Sequence, residues 1–193
     1  MRGIIFRTYL SLLTNRFGYE VTDSILLKRD YPNKGGFSSA GNYDVLYLEW
    51  LISDGAYLFD NSKDKVWIDF GEYALAHLIK AAKRAHASEG LIANAVNLYD
   101  FLENINIIHH EELNKLYPDA KFPSFDIQRV NPRRITIGYS SDHHYPYFVY
   151  GLLRGCIEHF NDSSTVTMKR MDALISSPDK HASAYQFEVF GDE

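Results

Sequence analysis

An α+β domain is predicted for this 193-residue chain by two regularities and the boundary between them. Apolar residues recur with the 3.6-residue period of helices as far as about residue 117. Beyond it, four segments show the two-residue period of strands. Pro118 marks the change. Helices gathered in the front half and strands in the back half predict helices packed on an antiparallel sheet of about four strands.

The elements follow in order. Ile4, Ile5, Tyr9, Leu12 and Leu13 share one side of a helix over residues 3–18, which Phe17-Gly18 closes. A second helix is expected from Val21 to Leu27. Tyr31-Pro32-Asn33-Lys34-Gly35-Gly36 is a loop by its turn residues. A third helix, from Tyr43 to Asp54, has Val45, Leu46, Leu48, Leu51 and Ile52 as its apolar set. A fourth is expected from Trp67 to Ala87, and one long helix from about Gly90 to Tyr117. Phe125 to Val130 and Arg134 to Ser140 alternate as strands around an Asn131-Pro132-Arg133 turn. Tyr147 to Phe160 reads as a helix with Gly151 and Gly155 four apart on one face, a spacing that permits close packing. Thr165 to Met171 and Tyr185 to Phe190 complete the strands. The chain reads as one domain, residues 1–193. About 1–60 form a helical N-terminal lobe, and about 61–193 hold the remaining helices and the sheet.

Composition sets bounds. Hydrophobic residues are 46% and charged residues 23% of the chain, ordinary for a globular protein with a real core. A net charge of −5 leaves no basic surplus to neutralise phosphates, so neither nucleic acid nor an anionic membrane is expected as a partner. Lys80, Lys83 and Arg84 make only a short basic patch on a solvated helix face. Cys156 is the single cysteine, which excludes an internal disulfide and a thiolate cluster and suits an inert packed thiol. No signal peptide and no run of membrane-spanning length is visible, and a cytoplasmic location is expected.

One histidine stands out. At helical spacing Leu102, Ile105, His109, Leu113 and Leu116 fall on one apolar stripe. His110 turns to the wet face beside Glu103, Asn106 and Asn114. An imidazole on an apolar stripe needs a compensating partner: a backbone carbonyl, a buried water or a metal. A second group ends the second strand. Tyr139, Ser141 and His143 continue the face that Ile135 and Ile137 begin, which turns a core-filling face polar.

The ordered set of residues resembles a known family. The segment Phe101-Leu102-Glu103-Asn104-Ile105-Asn106-Ile107-Ile108-His109 matches a pattern F-L-x-N-L-D-x-L-H. Tyr139-Ser140-Ser141-Asp142-His143 matches Y-x-S-x-R except at its last position. With Met1-Arg2-Gly3, Phe17-Gly18, Ser38-Ser39-Ala40-Gly41-Asn42-Tyr43, Phe70-Gly71-Glu72-Tyr73 and Gly151-Leu152-Leu153-Arg154-Gly155, they resemble the heme nitric oxide/oxygen-binding (H-NOX) family. That sensor fold is shared by bacterial gas receptors and the heme domain of soluble guanylate cyclase. The resemblance implies heme b between the lobes, with His109 as the axial iron ligand and Tyr139, Ser141 and His143 at the propionates. It also implies Ile5, Leu78, Phe148 and Leu152 along the heme face and Pro123 pressed on the porphyrin. The high aromatic share of 15% suits a large apolar cavity, although a bulky core gives the same composition.

Departures from the family shape the expectation. His143 replaces an arginine, whose permanent charge and planar fork suit carboxylates better than an imidazole does. Arg133, Arg134 or His144 are alternative cations. Phe148 stands where oxygen-binding members carry a distal tyrosine, so nitric oxide is expected as the ligand, with carbon monoxide a second candidate. His77 is a further distal donor or sixth ligand. The chain is expected to be a sensor and not an enzyme, acting on a histidine kinase or a cyclic-di-GMP enzyme in trans. Two readings compete with it. One is a heme-free interaction module on the same scaffold. The other is a metal-dependent phosphoesterase built on Asp142-His143-His144, which lacks the upstream aspartates such chemistry needs.

Overall fold

A computed structural model describes residues 1–86, 94–113, 123–141, 143, 145–171 and 184–191. Among them the order is α1 (Gly3–Phe17), α2 (Tyr19–Leu26), α3 (Val45–Phe59), α4 (Lys63–His86), α5 (Leu98–Glu103) and α6 (Ile105–Ile107). A π-helical turn (Ile108–Leu113) comes next. It is followed by β1 (Ser124–Asn131), β2 (Arg134–Ser140), α7 (Pro146–His159), β3 (Thr165–Met171) and β4 (Ala184–Phe190). The four strands form one antiparallel sheet in the order β1-β2-β4-β3. Helices and an antiparallel sheet of four strands are what the two periods predict.

Local chemistry sets the helix ends. Gly18 closes α1 at φ 84°, a backbone region that glycine enters without the usual steric cost, and α2 starts at once at Tyr19. Asp44 caps α3 by accepting from the Leu46 amide at 2.9 Å. The third helix runs past Asp54, where the sequence suggested an end. Asp54 is buried, and Arg29 grips both its oxygens at 2.9 Å. Its charge is therefore satisfied inside and does not terminate the helix. Leu46, expected in the core, is exposed instead.

Buried side chains form two clusters. The first gathers Phe6, Tyr9, Leu13, Ile25, Leu48, Leu51, Ile52 and Phe70 from α1 to α4. The second lies on the sheet, where Ile135, Ile137, Phe187 and Val189 are fully covered under Leu98, Leu102 and Leu153. Each such side chain contributes about 1.5–3 kcal/mol by leaving water. Register explains the coverage: Ile137 faces Phe187 and Ile135 faces Val189 across β2 and β4. The free thiol of Cys156 is buried in this second cluster.

Helices α4 and α7 join the two clusters, and their crossing is made by glycine. A Cβ on Gly151 would stand 2.1 Å from the Ile68 carbonyl oxygen. One on Gly71 would stand 2.3 Å from that of Phe148. No side chain fits between these backbones. Leu152, beside the crossing, consequently packs against both clusters. Glu72 and Arg154 add an ion pair at 2.6 Å.

The long helix expected from Gly90 to Tyr117 is broken within its described part. Asn104 leaves the helical region at φ −93° and ψ 3°, and its side-chain amide donates to the Asp100 carbonyl at 2.8 Å. A side chain that takes over the local backbone partner ends the ladder there. The chain resumes as α6 and then widens into the π turn. Despite the break, Leu102 is buried, Ile105 packs on the second cluster, His109 is half-buried and His110 is exposed. The side chain of Leu113 and all of Leu116 lie outside the described residues.

The glycine crossing yields a signed prediction. Alanine gains about 1 kcal/mol of helix propensity over glycine, but overpacking against backbone costs about 3 kcal/mol. Gly151→Ala should therefore lose about 2 kcal/mol in urea unfolding, and an unchanged or higher midpoint would contradict the crossing.

Candidate functional site

His109 rides on the π turn, where the broken helix meets the edge of the sheet. Its ring lies 5.6 Å from that of Phe125, which lies 5.8 Å from Tyr139, itself 6.3 Å from Phe187. This aromatic row leads from the imidazole into the second cluster. Burial, with a smaller contribution from neighbouring His110, lowers the His109 pKa to about 4. At neutral pH the ring is therefore uncharged, the form that can offer a nitrogen lone pair.

Asn106, expected on the wet face, is half-buried and bonded to the backbone of Phe125. Sequence reasoning missed this contact. Its partner is backbone 19 residues away, and no side-chain pattern signals that.

Tyr139, Ser141 and His143 come together, though not as a strand face. Strand β2 ends at Ser140, and around its end Tyr139, Ser141 and His143 are joined by hydrogen bonds. The His143 amide donates to Ser141 Oγ at 3.2 Å, and Tyr139 Oη donates to the His143 carbonyl at 2.9 Å. Tyr139 is buried, Ser141 half-buried and the His143 side chain exposed. The alternation i, i+2, i+4 fails because the two hydroxyls bond to the backbone of His143. Tyr145 packs on Trp67 at 4.7 Å and donates to Glu49 at 2.9 Å, which ties the segment after β2 to α3.

The apolar positions border the first cluster. Ile5, Leu78, Phe148 and Leu152 all pack on its periphery from α1, α4 and α7. Phe148 sits 4.9 Å from Phe70 and 5.9 Å from Trp67. Of its neighbours, Tyr150 donates to the Val166 carbonyl at 3.1 Å, and the charge of the Asp64 carboxylate raises the Tyr147 pKa. His77 is exposed and stacked on Tyr73 at 4.3 Å, so it does not face the cluster as expected of a sixth ligand. Pro123 is half-buried just before β1. Asp142 and His144 lie outside the described residues. Among those described, no group of three or more His, Cys, Asp or Glu stands ready to hold a metal ion.

Comparison with known proteins decides the family. A model described as Haem-NO-binding (HNOB) matches residues 2–168. The chain belongs to the haem-NO-binding family. This is a family of heme-binding gas sensors, not catalysts, which bind gases such as nitric oxide and signal to effectors such as cyclases. The chain is 25% identical to an unliganded Fe(II) H-NOX protein from K. algicida, with a TM-score of 0.76 over 100% of this chain and 98% of that one. A Shewanella woodyi H-NOX in the Fe(II)CO state is 26% identical, with a TM-score of 0.75 over 100% and 95%. An S. oneidensis H-NOX in the Fe(II)NO state shares the fold at 21% identity, TM-score 0.78, over 99% and 100%. Soluble guanylate cyclase gcy-37 of Caenorhabditis elegans is 27% identical over 100 residues. That match covers 52% of this chain and 14% of the cyclase, so the chain spans a small part of that relative's length.

The residues present fit an H-NOX heme on two counts. A half-buried neutral imidazole suits an iron ligand, and an apolar border of α1, α4 and α7 side chains suits a porphyrin face. They depart where the pattern Y-x-S-x-R ends in arginine and this chain has the exposed His143.

Buried acids around this region fix an alkaline limit. Burial raises Tyr139 and Tyr145, the latter also through its bond to Glu49, and pushes Cys156 up to about 12. In the unfolded chain a thiol titrates near 8.5 and a phenol near 10. Between those values and the folded ones the unfolded chain binds fewer protons, so stability falls as pH rises. Urea midpoints should hold to about pH 8.5 and then decline toward pH 12, with the onset moved to about pH 10 in Cys156→Ala. A midpoint flat to pH 11 would contradict this.

Proposed function

We propose that this H-NOX chain is a nitric oxide sensor that holds heme b through His109. The observation that carries the reading is the half-buried imidazole kept uncharged at neutral pH, seated where the broken helix meets the sheet. Bound heme would supply a ferrous iron able to take up nitric oxide or carbon monoxide. The chain's own residues do the rest. His109 would hold the iron, Ile5, Leu78, Phe148 and Leu152 would exclude water from the apolar side, and Pro123 would press on the porphyrin. Tyr139 and Ser141 would supply the hydroxyl pair for the propionates, and His143 would add an imidazole where the family has a guanidinium.

The distal side supports nitric oxide over dioxygen. Bound dioxygen needs a hydrogen-bond donor, and Phe148 has none to offer. Of its neighbours, Tyr150 has its hydroxyl engaged by the Val166 carbonyl, and Tyr147 lies beside the Asp64 carboxylate. Signalling follows from where His109 sits. Its segment is interrupted at Asn104, so its position can change without unwinding a continuous helix. Such a two-position element lets a ligand bias a partner's binding surface. The partner is a separate effector in the cytoplasm, of the histidine kinase or cyclic-di-GMP class.

A heme-free interaction module is the second reading, favoured by two observations. Tyr139 Oη is already satisfied by the His143 carbonyl, and the arginine is missing. One experiment separates the two. Protein expressed with heme supply, reduced and titrated with nitric oxide, should show a Soret band that shifts, and His109→Ala should lose the normal band while staying folded. His143→Arg should slow heme loss to apomyoglobin about tenfold, as expected for a charge-assisted bond gained. A folded wild-type protein that stays colourless would leave the interaction module standing.

A further inference from the structure

We infer that Asn106 is a positioning residue for His109, acting through a two-point bond to the backbone of Phe125. The inference deepens the proposed function and rests on His109 being the heme ligand. Among the described residues strand β1 is an edge of the sheet, paired on one side only, with β2. Edge strands leave alternate N–H and C=O groups without a strand partner. At Phe125, opposite Tyr139, Asn106 takes both of these groups. Its side-chain amide donates to the Phe125 carbonyl at 2.6 Å, and its oxygen accepts from the Phe125 amide at 3.3 Å. A carboxamide carries one donor face and one acceptor, like a peptide group, and so completes the edge as a further strand residue would.

The placement gives this bond its consequence. Asn106 lies in the three-residue α6, between the break at Asn104 and the π turn that carries His109. The backbone it grips belongs to Phe125, whose ring stands 5.6 Å from the His109 ring. The clasp therefore ties the histidine's own segment to the sheet on the same residue that flanks the imidazole. The family pattern has aspartate at this position. A carboxylate accepts hydrogen bonds but donates none, so it can hold the Phe125 amide and not its carbonyl. The two-point clasp comes from the asparagine of this chain.

Two variants and two readouts test it. Asn106→Ala removes both bonds, and Asn106→Asp keeps the shape and the acceptor but removes the donor. The first readout needs no heme: hydrogen exchange of the Phe125 amide in heme-free protein. It should quicken about fivefold in Asn106→Ala, the factor expected for one hydrogen bond, and less in Asn106→Asp. The Ile137 amide on central strand β2 should stay as slow as in the wild type, which reports an intact sheet. The second readout is the rate at which the histidine-bound spectrum is lost when the reduced, heme-loaded protein meets nitric oxide. It should rise about fivefold in both variants, since both lose the donor half of the clasp. Wild-type exchange in Asn106→Ala, or altered exchange with an unchanged nitric oxide rate, would overturn the positioning role. A wild-type protein with no Soret band would overturn the heme reading itself, and the positioning role with it.

Discussion

The backbone crossing of α4 and α7 is the constraint on which the rest of this molecule depends. With glycine at 71 and 151, the two helices touch main chain to main chain, with no side chain between them. That leaves their remaining faces free to serve two cores at once. Helix α4 sends Val66, Phe70 and Ala74 into the first cluster and Leu75 and Ile79 into the second. Helix α7 sends Val149, Leu153 and Cys156 to the sheet, and Phe148 to the helical side. A residue of any bulk at the crossing would push the helices apart and draw Leu152 away from one of its two clusters. Interiors packed at crystal density transmit such a displacement.

The candidate site uses the opposite design. Where the α4–α7 crossing is tight and continuous, the segment carrying His109 is interrupted and tied to the sheet through Asn106. Asn104 diverts its side chain to the Asp100 carbonyl, the helix restarts for three residues, and a π turn follows. Widened turns of this kind are rare and occur most often at functional positions. The rigid wall and the interrupted helix have complementary roles. One fixes an apolar wall, and the other gives His109, the proposed iron ligand, room to respond.

Much of this fold was legible in the sequence. The four strands are, because one face of each central strand must be buried. Ile135, Ile137 and Tyr139 on β2, and Phe187 and Val189 on β4, impose the two-residue period without ambiguity. The glycine pair at 151 and 155 announced close packing for the same reason. What failed was local polar chemistry. The apolar period runs through Asn104 without a gap, so the break is invisible until the side chain is seen bonded to Asp100. Asp54 reads as a helix end until Arg29, 25 residues away, supplies its counter-charge. The strand face drawn through Tyr139, Ser141 and His143 ended at Ser140, because hydroxyls that bond to nearby backbone carry no periodic signal.

At the site, the residue types were legible and their geometry was not. An imidazole on an apolar stripe marked His109, and the family pattern gave it a role. The Phe125 contact and the Asn106 clasp depend on a strand reached through residues 114–122, and no local pattern encodes that meeting. The central claim is that His109, uncharged and seated at the helix–sheet seam, is the iron ligand. The most direct test is resonance Raman of the reduced, heme-loaded protein, comparing wild type with His109→Gly supplied with free imidazole. The wild type should show an iron–histidine stretch that shifts on nitrogen-15 labelling of histidine. In His109→Gly the stretch should be absent, should return with added imidazole, and should then be insensitive to the protein's label. A label-sensitive stretch that survives in His109→Gly would place another histidine on the iron and contradict the account.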